Sequence, residues 1–114
     1  GDVVSDPVNI KGTIIGEIPK DHYLWILVNP EAAPGLYWPQ GGYHVIPAMG
    51  LWSWQVYLGG NSGNELGILA VLVDEKTDQM FVDWDLDCQR IASWPGLRLP
   101  DNVTILDQIK VIRE

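Results

Sequence analysis

The chain has few of the residues that fasten small proteins through covalent bonds or metal ions. Its 114 residues include one cysteine, Cys88, so no disulfide can form within the chain. The two histidines, His22 and His44, stand in no recognisable metal-ligand spacing. A chain of this length can bury roughly two-thirds of its unfolded surface. We therefore expect one domain that folds without a metal ion or other cofactor.

Basic residues and long apolar runs are also scarce. Seven Lys and Arg stand against fifteen Asp and Glu, which gives a formal net charge of −8. An acidic surface repels phosphate backbones, so we expect no nucleic-acid partner. No apolar run approaches the roughly eighteen residues of a membrane span, and we expect no direct membrane insertion.

The hydrophobic pattern predicts six or seven short β-strands. Residues 8–15 begin with the alternation of a half-buried strand, and residues 23–28 form the continuous apolar run of a central strand covered on both faces. The clearest alternation lies in residues 52–58. A glycine-rich loop separates it from a buried run at 67–73, and a hairpin joins the two most simply. The predicted core face of the alternating strand consists of Trp52, Trp54, Val56 and Leu58.

Proline and glycine restrict the strands between these segments. Residues 29–50 hold four of each, which leaves room only for short edge strands around 36–38 and 43–46. We expect residues 1–7 to be a flexible N-terminal segment and residues 8–114 to form the single domain.

One helix is predicted in residues 74–89, with Thr77 as its N-cap, before a last strand at 103–112. Val82 and Leu86 fall roughly opposite the apolar stripe, and we interpret them as a docking patch for a neighbouring domain or a second copy. The core-facing stripe is formed by Met80, Phe81, Trp84, Cys88 and Ile91.

Many short strands with one inserted helix predict an all-β fold. The expected architecture is an antiparallel immunoglobulin-like β-sandwich of six or seven strands, with one short helix inserted before the last strand. A single sheet with the helix on one face is the alternative.

No catalytic constellation stands out in the sequence, and we expect no enzyme activity. Asp83, Asp85 and Asp87 have the spacing of the first calcium-loop ligands, but the glycine and glutamate that complete such a loop are missing. Cys88 lies on the apolar stripe, and the neighbouring carboxylates raise the pKa of a thiol rather than activate it. A small hydrolase using carboxylates of the acidic stretch 74–87 is the least favoured hypothesis.

Tryptophan is the unusual component, with six residues in the chain. Trp25, Trp52, Trp54 and Trp84 fall on predicted core faces, where large rings can stabilise a domain that lacks disulfides. Trp38 instead stands on a loop or edge strand. Its ring can stack on a sugar or grip a peptide, or it can plug the open end of the sandwich. The candidate ligand-binding residues are Tyr37, Trp38, Gln40 and Tyr43.

A series of short motifs extends over nearly the whole chain. They are Gly12-Thr13, Tyr23-Leu24-Trp25, Val28-Asn29-Pro30, Tyr37-Trp38-Pro39-Gln40, Trp52 to Gly60, Gly67 to Val73 and Ile109 to Arg113. In this order the motifs resemble a group of prokaryotic β-sandwich modules of the immunoglobulin or fibronectin type III type. The resemblance implies a domain of a larger surface or signalling protein, with no catalytic residues to carry over. It favours a location at the cell surface, with a cytoplasmic location as the alternative.

The sequence therefore favours a non-enzymatic interaction or accessory module of a larger protein. Its expected partners are other domains of the same polypeptide or another protein. Carbohydrate binding through the loop aromatics is the second hypothesis.

Overall fold

The computed structural model describes residues 1–114 and contains seven strands and one helix. The elements are β1 (Asp2–Val4), β2 (Val8–Thr13), β3 (His22–Pro30), β4 (Trp38–Pro39), β5 (Leu51–Val56), β6 (Glu65–Asp74), α1 (Glu75–Ile91) and β7 (Thr104–Arg113). A large sheet has the order β1-β7-β6-β3-β4, and β2 pairs with β5 in a small sheet. The all-β class and the single helix before the last strand are confirmed.

The predicted hairpin between residues 52–58 and 67–73 is wrong. The first segment forms β5, which pairs antiparallel with β2, whereas the second lies in β6 between β3 and β7. The reason lies in the two patterns. β5 has one apolar face and suits a sheet that is open to solvent on its other side, but β6 is apolar on both faces and needs cover on both.

The large sheet is covered on its two faces by different elements. Leu24 and Ile26 of β3 point toward the small sheet, into a core that also holds Val56, whereas Trp25 points toward the helix and packs with Phe81. The prediction that residues 23–28 form a central strand covered on both faces is confirmed. The continuous apolar run is therefore explained by two cores, one on each side of the same strand.

The segment predicted to be flexible, residues 1–7, contains a strand. β1 pairs in parallel with the end of β7, and the backbone amide of Glu114 donates to the carbonyl of Val4 at 2.8 Å. The carboxylate of Asp6 lies 3.2 Å from the guanidinium of Arg113 and accepts from the amide of Leu58 at 2.8 Å. These long-range partners have no signature in a seven-residue segment read alone.

The loop between β3 and β5 holds less strand than predicted. The edge strand expected at 36–38 is represented by β4, and the one expected at 43–46 is reduced to a single bridge between Val45 and Leu24. The prolines explain part of the difference, because proline cannot donate a ladder hydrogen bond.

The helix begins one turn before the position expected from its predicted cap. Asp74, rather than Thr77, is the N-cap, and its carboxylate accepts from the amide of Thr77 at 2.8 Å. Phe81 and Cys88 of the predicted stripe are buried, but Met80 is 40% exposed and Ile91 is also exposed. The helix contacts β3 and β6 along a narrow face, so the outer members of the stripe remain in solvent.

The helix cap predicts a specific loss of stability in acid. Hydrogen bonds from the backbone and then the side chain of Thr77 lower the pKa of Asp74, and Asn102 adds another. A carboxylate whose folded pKa is depressed stabilises the fold above its unfolded pKa, near 4, and this contribution is lost as the pH falls through the lower folded value. We expect Asp74→Asn, which preserves capping, to flatten the decline in unfolding free energy below about pH 4.

Chemical unfolding at several pH values measures this difference. Asp74→Ala serves as the comparison, since it removes the cap and lowers stability at neutral pH as well. An acid profile of Asp74→Asn that superimposes on that of the native chain contradicts the assignment.

Candidate functional site

The predicted ligand-binding residues do not form one platform, and Gln40 is the clearest case. Its side chain is 7% exposed, donates to the carbonyl of Trp38 at 3.1 Å and accepts from the amide of Tyr57 at 2.8 Å. Its own carbonyl accepts from the indole of Trp54 at 2.9 Å. Gln40 therefore links its own loop to β5 and to Tyr57 just after that strand, and a contact between Gln40 and a ligand stays a prediction.

Trp38 has structural contacts on two sides. Its indole nitrogen donates to the carbonyl of Trp94 at 2.7 Å, and a Cβ on Gly96 would lie 2.7 Å from its ring. The neighbouring Tyr37 pairs through its backbone with Leu97. The sequence allowed Trp38 either to contact a ligand or to plug the open end of the sandwich. These contacts favour the second role, because they anchor the segment that follows the helix.

The indoles of Trp52 and Trp54 also pack against glycine backbones. Gly12 lies opposite Trp52 in the small sheet, and a Cβ on Gly12 would lie 2.3 Å from that ring. Gly41 stands at φ 88° against the ring of Trp54, so a side chain there meets both backbone strain and a clash. Of the predicted core tryptophans, Trp25 is fully buried, and Trp52, Trp54 and Trp84 are half-buried.

Tyr43 keeps an exposed ring and belongs to a cluster that the sequence did not predict. It is 52% exposed and stacks on His44 with ring centroids 4.0 Å apart, while Tyr23 lies 4.6 Å away on the same histidine. The Nδ1 atom of His44 is 2.9 Å from the carboxylate of Asp78, which also accepts from Trp25 at 2.8 Å. Loop, sheet and helix meet at this carboxylate.

A histidine that donates to a carboxylate has the geometry of a general base, which needs a nucleophile within hydrogen-bond reach. The hydroxyl groups of the cluster belong to Tyr23 and Tyr43. Burial raises the pKa of Tyr23, and the nearby charges of Glu75 and Asp78 raise it further, so an ionised nucleophile is disfavoured there. The cluster fastens the loop to the helix. No spacing could reveal it, since His44 and Asp78 are 34 residues apart.

The remaining titratable groups of the helix do not converge either. Burial raises the pKa of Cys88, with further increases from Asp85 and Asp87, as the sequence predicted. Asp83 and Asp85 accept from glutamine side chains one turn away, and Asp87 pairs with Arg90. No group of three or more His, Cys, Asp and Glu side chains could hold a metal ion.

The predicted docking patch on the helix reduces to one residue. Leu86 is 58% exposed, as expected, but Val82 is half-buried and packs against the core between helix and sheet. Val82 is adjacent to the fully buried Phe81, about 100° around the helix, so it reaches the flank of the contact face. The predicted exposure of Val82 is therefore corrected, and docking at this patch stays a prediction.

An apolar cleft lies between the two sheets. It has a volume of about 480 Å³, and 13 of its 19 lining residues are hydrophobic. It arises because the small sheet has two strands and leaves the inner face of β7 beside β2 uncovered, where Ile109 is 45% exposed. Its lining includes Ile10, Gly12, Ile14, Ile26, Ile68 and Ile109.

The charged residues of the cleft are Lys11, Glu17 and Asp107. No helix of the structure combines the length and the apolar character that crossing a membrane requires. No family model, curated protein or solved structure matches the chain. Its function must therefore be inferred from its own residues.

Proposed function

We propose that the chain is a non-enzymatic interaction module with an immunoglobulin-like architecture, working as an accessory domain of a larger surface or signalling protein. In immunoglobulin domains the second strand pairs with the fifth, and the third, sixth and seventh strands form the facing sheet. The pairs β2 with β5, β3 with β6 and β6 with β7 support this order. The helix then occupies the connection between the last two strands. Where antibody domains have an inter-sheet disulfide, the core between the two sheets of this chain is apolar and holds Leu24, Ile26 and Val56.

The observation that carries the proposed function is the apolar cleft between the sheets. An open apolar groove beside exposed Ile15, Leu106 and Ile109 is typical of a surface that contacts another protein. Reaction chemistry instead requires ionisable groups that converge on one point. Asp74 caps the helix and Asp78 contacts His44. Asp83, Asp85 and Asp87 pair with neighbouring side chains of the helix, and these contacts weaken the hydrolase alternative.

Display of a random peptide library tests the proposal. We expect the domain to enrich binders whose affinity falls at least about tenfold in Ile109→Asp, because a charge in an apolar contact costs more than 1.4 kcal/mol. Ile91→Asp, on the helix that covers the opposite face of the large sheet, is the matched control and is expected to bind normally. Binders that are indifferent to Ile109→Asp contradict the proposal, as does hydrolysis of ester, peptide or glycoside substrates by the pure domain.

Carbohydrate binding remains the second candidate because Tyr43 offers an exposed ring. A glycan array with Tyr43→Ala as control tests it. Binding that depends on this ring, without any peptide binding, favours that candidate over the interaction module.

A further inference from the structure

We propose that the cleft accepts an extended segment of another protein, which adds a strand to the free edge of β2. The segment has apolar side chains at alternate positions and a net positive charge. This inference rests on the proposed function and specifies the partner and the way it binds.

The outer edge of β2 is available for pairing. The amide of Ile14, just after β2, donates to the carbonyl of Gly50, just before β5, at 2.8 Å. This residue pair is therefore one of the hydrogen-bonded pairs of the ladder. Antiparallel pairs alternate between bonded and non-bonded positions, so the backbone groups of Asn9, Lys11 and Thr13 point away from β5. No third strand pairs with the small sheet. Three consecutive outward positions form a template for strand addition.

The cleft lies where an added strand would place its side chains. Ile10 and Gly12 of β2, together with Ile14 just after the strand, point inward and line the cleft. A neighbouring strand lies about 4.8 Å away, and its alternate side chains face the same side of the sheet. A segment of six residues, the length of β2, would direct three side chains into the cleft against the uncovered face of β7. Backbone hydrogen bonds would then give affinity, and the cleft would select apolar side chains.

Charge favours a basic segment over a second copy of this chain. The domain has a net charge of −8, and the two carboxylates of the cleft, Glu17 and Asp107, outnumber its one cation, Lys11. Opposite charge on the segment would assist both association and binding. A symmetric antiparallel pair of β2 edges centred on Lys11 would place two lysines opposite each other, which is unfavourable. Lys11 therefore acts against self-pairing while its amide stays available to a partner.

The test uses a synthetic eight-residue peptide in which valine alternates with threonine and a lysine stands at each end, so that its central part places no lysine opposite Lys11. Titration is followed by NMR of the labelled domain, with hydrogen exchange of the backbone amides as a second measurement. We expect shifts and protection at the amides of Asn9, Lys11 and Thr13. A peptide with the same residues in blocks, and one with glutamate in place of lysine, are both expected to bind more weakly.

Two proline substitutions show which edge of the small sheet, that of β2 or that of β5, binds the peptide. Lys11→Pro removes a donor that points outward and keeps the ladder to β5, so we expect binding to weaken by up to about tenfold. Ser53→Pro removes the corresponding outward donor from β5, opposite Lys11, and is expected to leave binding unchanged. Lys11→Gln controls for the lost charge. Amide spectra of the free variants establish that each one is folded.

Each alternative result has a distinct meaning. Peptide binding that is lost in Ile109→Asp but unaffected by Lys11→Pro overturns strand addition and leaves the interaction module standing. Concentration-dependent dimers in sedimentation, abolished by Lys11→Pro, make a second copy the occupant and overturn the proposed partner. If no alternating peptide protects the β2 amides while library binders still depend on Ile109, the edge is not the site.

Discussion

Replacing Trp25 with alanine is expected to lower the free energy of unfolding by roughly 3 to 5 kcal/mol. The side chain is fully buried, and its ring meets that of Phe81 edge-on, with centroids 5.1 Å apart at 82°. Its removal leaves a cavity between sheet and helix. It also takes one of two donors from the carboxylate of Asp78. Denaturant unfolding of the variant measures the loss.

Two further variants divide this effect. Trp25→Phe retains much of the ring but loses the indole donor, so we expect a loss between those of the native chain and Trp25→Ala. Trp52→Ala removes a half-buried ring and is expected to cost less than Trp25→Ala. A cost below about 1 kcal/mol for Trp25→Ala would show that Trp25 does not stabilise the packing of the helix on the large sheet.

Phe81→Ala is expected to cost about 3 to 5 kcal/mol, since Phe81 is the fully buried contact of the helix with the sheet. The same change separates helix packing from helix propensity. Alanine is the best helix former, so any destabilisation must come from lost packing. Thermal unfolding followed by circular dichroism, together with denaturant titration, measures the change.

The adjacent Met80 provides the matched control. It is 40% exposed, and we expect Met80→Ala to change stability by no more than about 0.5 kcal/mol. Equal losses for the two variants would contradict the observed orientation of the helix and favour the wider stripe that its sequence predicted.

Local patterns predicted the elements better than their pairing. The apolar run at 23–28 and the alternation at 52–58 depend on neighbouring residues, and both strands were located. The partner of β5 is β2, some 40 residues earlier in the chain, and no local pattern encodes that choice. Threonine and aspartate are both common N-cap residues, so the sequence alone does not distinguish Thr77 from Asp74. In the structure the helix begins after Asp74, whose carboxylate accepts from the amide of Thr77.

The candidate site was less predictable because it consists of spaces between elements. The cleft exists only once β2 is placed beside an uncovered part of β7, which residue patterns do not specify. The aromatics at 37–43 attracted attention through their chemistry, but glycine contacts and hydrogen bonds commit Trp38 and Gln40 to packing. Isolated glycines such as Gly12, opposite Trp52, are the one signal that could have indicated this arrangement.

The parallel pairing of β1 with β7 has a mechanical consequence. Because the two strands run in the same direction, tension applied at opposite ends of the chain draws Asp2–Val4 one way and the end of β7 the other. The hydrogen bonds between them are then loaded together in shear rather than opened one by one. Within a longer polypeptide under tension, the hydrogen bonds between β1 and β7 would have to break before the sheets come apart.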